Sequence, residues 1–152
     1  MSWDPANYQH QELTAVVLEV FYDVYNELGH GFLECVYEEA MTLALLEKQV
    51  AVERQHALPV WFRRHKIGEF KPDLVIAGIV IVELKAVREL EPFHEAQLLN
   101  YLRASDVEVG LLLNFGPKPQ IKRMVFANEK KKICVSRHEL SCRATVRPRE
   151  RI

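Results

Sequence analysis

Residues 70–85 have the sequence FKPDLVIAGIVIVELK, and this stretch decides the fold. The segments Phe70 to Ile76 and Ile79 to Lys85 are rich in Val and Ile, which favour β-strands. Ala77-Gly78 separates them, so an antiparallel hairpin is the natural connection. The stretch therefore predicts two neighbouring strands of a sheet.

Three ionisable side chains interrupt this apolar hairpin. Asp73 follows Pro72, and Glu83 and Lys85 share one face because side chains alternate along a strand. Burying charge is costly unless the group is paired, hydrogen-bonded or bound to an ion. One interpretation is a buried pair of Glu83 and Lys85, or an exposed sheet edge. The other is that Asp73 and Glu83 are oxygen ligands for Mg²⁺ or a similar cation, with Lys85 beside them.

The cation interpretation requires a hairpin register in which Asp73 faces Glu83. Such an ion activates water and neutralises charge on a phosphate, and Lys85 assists by lowering the pKa of that water or by holding the phosphate. For Asp73 to face Glu83, the pairing must be centred on a left-handed Gly78. A strict two-residue turn would pair Asp73 with Val82 and direct the acids to opposite faces.

Two helices are predicted before the hairpin. Apolar residues from Leu13 to Leu28 recur at the three-four spacing of a helix, and Gly29 and Gly31 can end it. A second helix begins at about Leu33. Its predicted core stripe is Leu33, Val36, Tyr37, Ala40, Met41 and Ala44. Glu34 falls on a flank of that stripe near the helix N-terminus, where a carboxylate also complements the helix dipole.

Further strands flank the hairpin in sequence. Leu58 to Phe62 reads as an extended segment closed by the polar turn Arg63 to Lys66. Val107 to Phe115 is a continuous apolar run, typical of a strand that is covered on both faces. Ile121 to Phe126 is its predicted partner, after a turn at Gly116-Pro117.

A third helix is predicted from Pro92 to about Ala104. His94, Gln97 and Tyr101 lie one turn apart on one face of it. These are either polar residues beside a half-buried aromatic, or a face that lines a cleft and holds a nucleic-acid backbone by hydrogen bonds.

Composition bounds the class of protein. A chain of 152 residues with 49% hydrophobic and 27% charged residues is typical of one globular domain. We expect this domain to span residues 1–135, followed by a frayed or disordered tail over residues 136–152. The net charge of −1 argues against a nucleic-acid binder that works by overall basicity, but it allows a local basic cleft.

The expected environment is a reducing cytoplasm. The three cysteines, Cys35, Cys134 and Cys142, show no disulfide or metal-knuckle spacing. No apolar run approaches the roughly 18 residues of a membrane span, so no membrane partner is expected. Arg63, Arg64 and Lys66 are candidate phosphate contacts, with ordinary surface charge as the alternative.

Several motifs together resemble a known family. They are Gly31-Phe32-Leu33-Glu34-Cys35-Val36-Tyr37, Pro72-Asp73, Val82-Glu83-Leu84-Lys85-Ala86, Gln97-Leu98-Leu99-Asn100-Tyr101-Leu102 and Gly110-Leu111-Leu112-Leu113-Asn114-Phe115-Gly116. The first has the form GxxExxY, and the chain resembles the small prokaryotic proteins named after that signature. They look like a branch of the PD-(D/E)XK nuclease superfamily, close to its recombination-exonuclease group. The likeness covers roughly Leu13 to Phe126.

The resemblance implies a fold and an activity. The fold is an α/β structure with a mixed central sheet flanked by helices and a restriction-endonuclease-like αβββαβ core. The activity is Mg²⁺- or Mn²⁺-dependent hydrolysis of phosphodiester bonds, with DNA as the expected substrate. Because fold does not determine function, a non-cleaving module for nucleic acid or protein is the alternative, and a subunit with a structural ion is a third. A homo-oligomer is compatible with the sequence.

The resemblance also assigns residues to roles. The catalytic set is Asp73, Glu83, Lys85 and Gln97. The metal ligands are Glu34, Asp73, Glu83 and the backbone carbonyl of Leu84. Tyr101 is implied to support the site. Outside the resemblance, the residues themselves make His94 and the basic residues Arg63, Arg64 and Lys66 further candidates for nucleic-acid contact or support of the site.

Overall fold

A computed structural model of the protein describes residues 10–131. Within them the helices are α1 (Gln11–Leu28), α2 (Glu34–Glu47) and α3 (Pro92–Ala104). The strands are β1 (Val52–Arg54), β2 (Leu58–Phe62), β3 (His65–Phe70), β4 (Leu74–Ile76), β5 (Val80–Lys85), β6 (Val109–Phe115) and β7 (Pro119–Val125). A short 3₁₀-helix, Asn128–Lys130, follows β7. The predicted tail over residues 136–152 lies outside the described residues.

The strands form a mixed central sheet and a separate hairpin. Five strands pair in the order β1-β4-β5-β6-β7, and β2 pairs with β3 in a two-stranded sheet. β5 and β6 are parallel, and the other neighbours in the five-stranded sheet are antiparallel. The parallel pair needs a long crossover, which α3 supplies. This arrangement confirms the predicted α/β fold with helices against a mixed sheet.

Helices α1 and α2 cover one face of the sheet. Their buried side chains include Val17, Phe21 and Met41, which pack against the even-numbered apolar residues of β4 and β5. Tyr37 stacks on Phe115 with ring centroids 4.1 Å apart and planes at 10°. The three-four periodicity predicted for the first helix is therefore confirmed as a core-facing pattern.

The predicted stripe of α2 is partly wrong. Leu33 and Val36 are exposed, and the buried residues of the helix are Tyr37, Glu38, Met41, Thr42 and Leu45. Tyr37 sets the rotation of the helix, because its hydroxyl donates to the Gly29 carbonyl at 2.7 Å and accepts from the Phe32 N–H at 3.2 Å. The tyrosine of GxxExxY thus anchors the loop before α2.

Helix α3 covers the opposite face of the sheet. Leu98 and Leu102 pack there against Ile81 and Leu112. Gly110 of β6 lies directly beneath the helix, since a Cβ atom built on it would come within 2.8 Å of Leu98 Cδ1. The helix therefore rests on bare backbone at this point.

Strands β1 and β3 were not predicted as separate strands, and one predicted strand is divided in two. The segment Phe70 to Ile76 splits, with Phe70 ending β3 and β4 beginning only at Leu74. Pro72 lies between them and has no N–H to contribute to a ladder. β1 has three residues, and β3 is exposed along nearly its whole length, so neither carries an apolar pattern.

The boundaries of the other elements also differ from the prediction. The polar turn is Arg63-Arg64, with φ of 47° and 70°, whereas Lys66 belongs to β3. β6 begins at Val109 rather than Val107, and β7 begins at Pro119.

Candidate active site

The β4–β5 hairpin has the register that an acidic pair requires. Ile76 lies opposite Val80, so the pairing is centred on Gly78, whose φ is +69°. Continuing this register places Asp73 opposite Glu83 on the same face of the sheet. The predicted left-handed Gly78 is confirmed, and the alternative two-residue turn is wrong.

Backbone hydrogen bonds orient the two carboxylates. The Asp73 N–H donates to Glu83 Oε1 at 3.1 Å, and the Leu84 N–H donates to Asp73 Oδ2 at 2.8 Å. The Leu84 side chain points to the other face and is buried against α1 and α2. Each acid thus accepts a backbone hydrogen bond from the arm of the hairpin that carries the other acid. The Leu84 carbonyl as a metal ligand stays a prediction.

Glu83 is the hairpin acid whose ionisation is most strongly opposed by burial. Its side chain is only 5% exposed, and burial together with the neighbouring Asp73 and Glu34 raises its pKa from 4.5 to about 8. Burial, with Glu38 nearby, also raises the pKa of Asp73. Mutual repulsion and desolvation both penalise the charged forms of the acids.

Lys85 lies beside the acids without pairing to them. It is half-buried, and its charge favours ionisation of Asp73, Glu83 and Glu34. Within residues 10–131 it makes no ion pair shorter than 4.0 Å. The interpretation of Glu83 and Lys85 as a structural ion pair is therefore wrong.

Glu34 reaches this cluster from α2. It is the first residue of that helix and is solvent-exposed, yet partial desolvation raises its pKa, with a further contribution from Asp73. Lys85 and His94 act in the opposite direction on the pKa of Glu34. These interactions place Glu34 among the side chains of the hairpin and α3.

Glu38 is a site residue that sequence reasoning missed. It lies one helical turn after Glu34 and is only 8% exposed. Arg54 Nε donates to its Oε1 at 3.1 Å, and Gln55 Nε2 donates to its Oε2 at 3.2 Å. The same Gln55 amide donates to Asp73 Oδ1 at 3.3 Å. The available signal was the i,i+4 spacing from Glu34, and no signal marked Gln55.

Helix α3 brings Gln97 and Tyr101 to the edge of the cluster. Gln97 Nε2 donates to the Tyr101 hydroxyl at 2.8 Å. Burial, followed by the nearby Glu83 carboxylate, raises the pKa of Tyr101. Its ring stacks on Phe70 with centroids 4.2 Å apart and planes at 4°. The β2–β3 hairpin thus meets the site through its base.

His94 caps the N-terminus of α3. Its Nδ1 accepts the Glu91 N–H at 2.9 Å and completes a capping box at the start of α3. The side chain is buried.

The basic residues of the β2–β3 hairpin are not brought to the acids. Arg63 lies over the ring of Phe62 at 5.0 Å, and Lys66 pairs with Glu69 at 3.1 Å. In the described part of the chain, neither these two nor Arg64 forms an ion pair with the acidic cluster. They lie on the exposed part of a two-stranded hairpin that is separate from the central sheet.

Comparison with known proteins decides the family. Residues 11–124 match the family model of the PD-(D/E)XK nuclease superfamily. The chain belongs to the PD-(D/E)XK nuclease superfamily. The matched range includes the hairpin acids and the site residues of α2 and α3. No match was found among curated proteins or among solved structures. Across residues 10–131, no helix combines the length and apolarity needed to cross a bilayer.

Membership of the PD-(D/E)XK superfamily supports hydrolysis of phosphodiester bonds in nucleic acid and raises the question of a metal. Among residues 10–131, no group of three or more His, Cys, Asp or Glu side chains is gathered closely enough to hold an ion as it stands. The donor chemistry nevertheless fits a divalent cation. Hard carboxylate oxygens meet where burial and repulsion disfavour their charge, which a cation would relieve.

Proposed function

We propose that the protein is a divalent-metal-dependent nuclease that hydrolyses phosphodiester bonds of DNA. The observation that carries the proposal is the facing pair of a half-buried Asp73 and a buried Glu83, flanked by Lys85, which forms no ion pair within residues 10–131. Charge that is expensive to bury and lacks an internal partner is typical of functional sites.

Asp73, Glu83 and Glu34 would hold the cation, together with the predicted Leu84 carbonyl. When bound, Mg²⁺ or Mn²⁺ supplies Lewis acidity toward a phosphate and lowers the pKa of water. The N–H donors of Asp73 and Leu84 keep the two hairpin carboxylates in fixed orientations. This preorganisation reduces the cost of assembling the site.

Lys85 would contact the substrate directly. No described carboxylate engages its ammonium group, so the group is available to a phosphate oxygen or to the attacking water. A compact ammonium charge is suited to stabilising the negative charge that develops there. Gln97 and Tyr101 would border the scissile phosphate from the side of α3 and support its position.

A cleavage panel tests the proposal. Labelled single-stranded DNA, double-stranded DNA and RNA are incubated with Mg²⁺, Mn²⁺ or chelator. We expect cleavage of DNA with either metal and none with chelator. Lys85→Ala and Asp73→Asn should each reduce the rate by about 10²-fold or more. Lys118→Ala, an exposed lysine in the β6–β7 turn, is the matched control.

Two results would overturn the proposal. Wild-type protein that forms a salt-sensitive complex with nucleic acid but yields no product would identify a binding module instead. Cleavage that is unchanged in both Lys85→Ala and Asp73→Asn would place the chemistry elsewhere.

A further inference from the structure

Gln55 links two carboxylates that come from different elements. It follows β1 directly, and its Nε2 lies 3.2 Å from Glu38 Oε2 and 3.3 Å from Asp73 Oδ1. Its backbone N–H also donates to the Asp73 carbonyl at 3.2 Å. One residue thus contacts Asp73 through both backbone and side chain, and α2 through its amide.

The backbone of Gln55 shows that this placement has a cost. Its φ is +50°, in the left-handed region that L-residues with long side chains rarely adopt. The residue is exposed, so burial of apolar surface does not explain the conformation. Strain of this kind persists where surrounding contacts determine the geometry, and it clusters at functional sites.

Charge explains why an amide is needed at this point. Asp73 and Glu38 are both acidic, and the proximity of Glu38 raises the pKa of Asp73. Arg54 engages Glu38 from the other side, through Nε at 3.1 Å, and its other arm pairs with Glu39. Within residues 10–131, Asp73 has no such cation bonded to it, and its side-chain donors there are the Leu84 N–H and the Gln55 amide. The amide's two N–H groups allow it to serve both acids at once.

We propose that Gln55 is a positioning residue that orients the Asp73 carboxylate against Glu38 and so prepares Asp73, a proposed ligand, for a divalent cation. This inference rests on the proposed function. A carboxylate oxygen has more than one lone pair, so it can accept from the amide while another direction remains open to the ion. Groups that orient metal ligands in this way contribute to metal affinity without binding the metal themselves.

The variant Gln55→Asn distinguishes the effect of the amide's position from the effect of backbone strain. Asn tolerates positive φ better than Gln, but its amide is one methylene shorter and falls short of the two carboxylates. Gln55→Glu has nearly the shape of Gln, yet it removes both N–H donors and adds a negative charge. Gln49→Asn is the matched control, because Gln49 is also exposed and has a φ of +61° after α2.

The experiment uses the intact chain and three measurements. They are the Mn²⁺ dissociation constant by titration calorimetry, the melting temperature in chelator, and kcat and KM for DNA cleavage at fixed Mn²⁺. In Gln55→Asn we expect Mn²⁺ binding to weaken by about tenfold. kcat should fall with it, while KM for DNA and the melting temperature remain close to wild type. Gln55→Glu should lose more, and Gln49→Asn should behave as wild type.

Each contrary outcome has a distinct meaning. Mn²⁺ binding by Gln55→Asn that equals wild type overturns the inference, and tighter binding overturns it by showing that the amide competes with the ion. In both cases wild-type cleavage leaves the proposed function intact. Wild-type protein that neither binds Mn²⁺ nor cleaves DNA overturns both.

Discussion

Glu83 carries the largest electrostatic penalty among the acids of the hairpin. Its pKa is about 8 in the folded protein, against an ordinary value of 4.5. A raised carboxyl pKa means that the folded state holds the proton more tightly than the unfolded state does. The penalty is therefore absent below about pH 4.5, grows between the two values and is complete above about pH 8.

Removing that carboxylate should stabilise the protein when metal is absent. We expect Glu83→Gln to raise the free energy of unfolding in chelator, by on the order of 1 kcal/mol or more at pH 9 and by less at pH 6. Urea unfolding at the two pH values measures this. Glu27→Gln, at an exposed carboxylate of α1, should show no comparable pH-dependent gain. A gain of the same size at both pH values would contradict the assignment of the charge penalty to Glu83.

Sequence predicts some residues of the site and misses others for a physical reason. Asp73, Glu83 and Lys85 stand out because each is a charge within an apolar strand pattern. Glu38 does not, because a glutamate in a helix normally faces solvent. Gln55 acquires its contacts only when the chain brings it to Asp73, 18 residues away in sequence.

At the level of elements, the β4–β5 turn determines whether the acids face one another. Ala77 and Gly78 both have positive φ, 51° and 69°, and in the described part of the chain no atom beyond Gly78 and its two chain neighbours lies within 4 Å of a Cβ built on Gly78. The conformation of these two residues, rather than packing, therefore dominates the energetics of the turn.

Substitutions at the two turn positions should have opposite signs. We expect Gly78→Ala to destabilise the fold by about 1 kcal/mol, because Ala is strained at positive φ. Ala77→Asn should stabilise it by about 0.5 kcal/mol, because Asn tolerates the left-handed region better than Ala. Chemical denaturation of both variants against wild type measures the difference. Two changes of the same sign would show that the turn departs from the described geometry.

We propose that the β2–β3 hairpin extends the contact of the proposed nuclease with nucleic acid. Its turn carries Arg63 and Arg64, beside the exposed ring of Phe62, and its base is fixed by Phe70 against Tyr101. Arginines and aromatic rings together suit phosphates and unstacked bases. Arg63 and Arg64 are exposed, so the turn can change without disturbing the core.

Removing the two arginines should weaken binding and leave the fold unchanged. We expect Arg63→Ala/Arg64→Ala to raise the dissociation constant for single-stranded DNA and to reduce the salt dependence of binding by about one to two phosphate contacts. Fluorescence anisotropy over a salt series gives both values, and the melting temperature should stay within error. An unaltered salt slope would remove the hairpin from the interface.

Prediction from sequence succeeded for elements with strong periodicity. Helix α1 and strands β5 and β6 have long apolar patterns that match their burial, and α3 begins at the predicted Pro92. β1 and β3 were missed because they are short or exposed and carry no alternation. The rotation of α2 was misjudged because Tyr37 is fixed by hydrogen bonds to the preceding loop, which no pattern reveals.

For the whole molecule, metal binding and folding should be linked. The candidate ligands come from α2 and from the β4–β5 hairpin, so an ion bound to them ties two separate elements together. A ligand that binds only the folded state stabilises it, by about 2.7 kcal/mol at a hundredfold excess over its dissociation constant.

Mn²⁺ should therefore raise the melting temperature of the wild-type protein by several degrees over that in chelator. Asp73→Asn should lose most of this increase, because one central ligand is neutral. Thermal unfolding with and without Mn²⁺ measures both. An equal rise in the variant would mean that the ion binds outside the proposed site.

Gly110, which has no side chain, sets how closely α3 approaches the sheet. Leu98 rests on that backbone, and Ile81, paired with Gly110 across the ladder, lies two residues before Glu83. Gln97 and Tyr101 lie on the same helix as Leu98. The room left by the missing methyl group of Gly110 therefore governs how far these two side chains stand from the acids. The distance from Gln97 and Tyr101 to the acids is in this way set by a residue that carries no functional group.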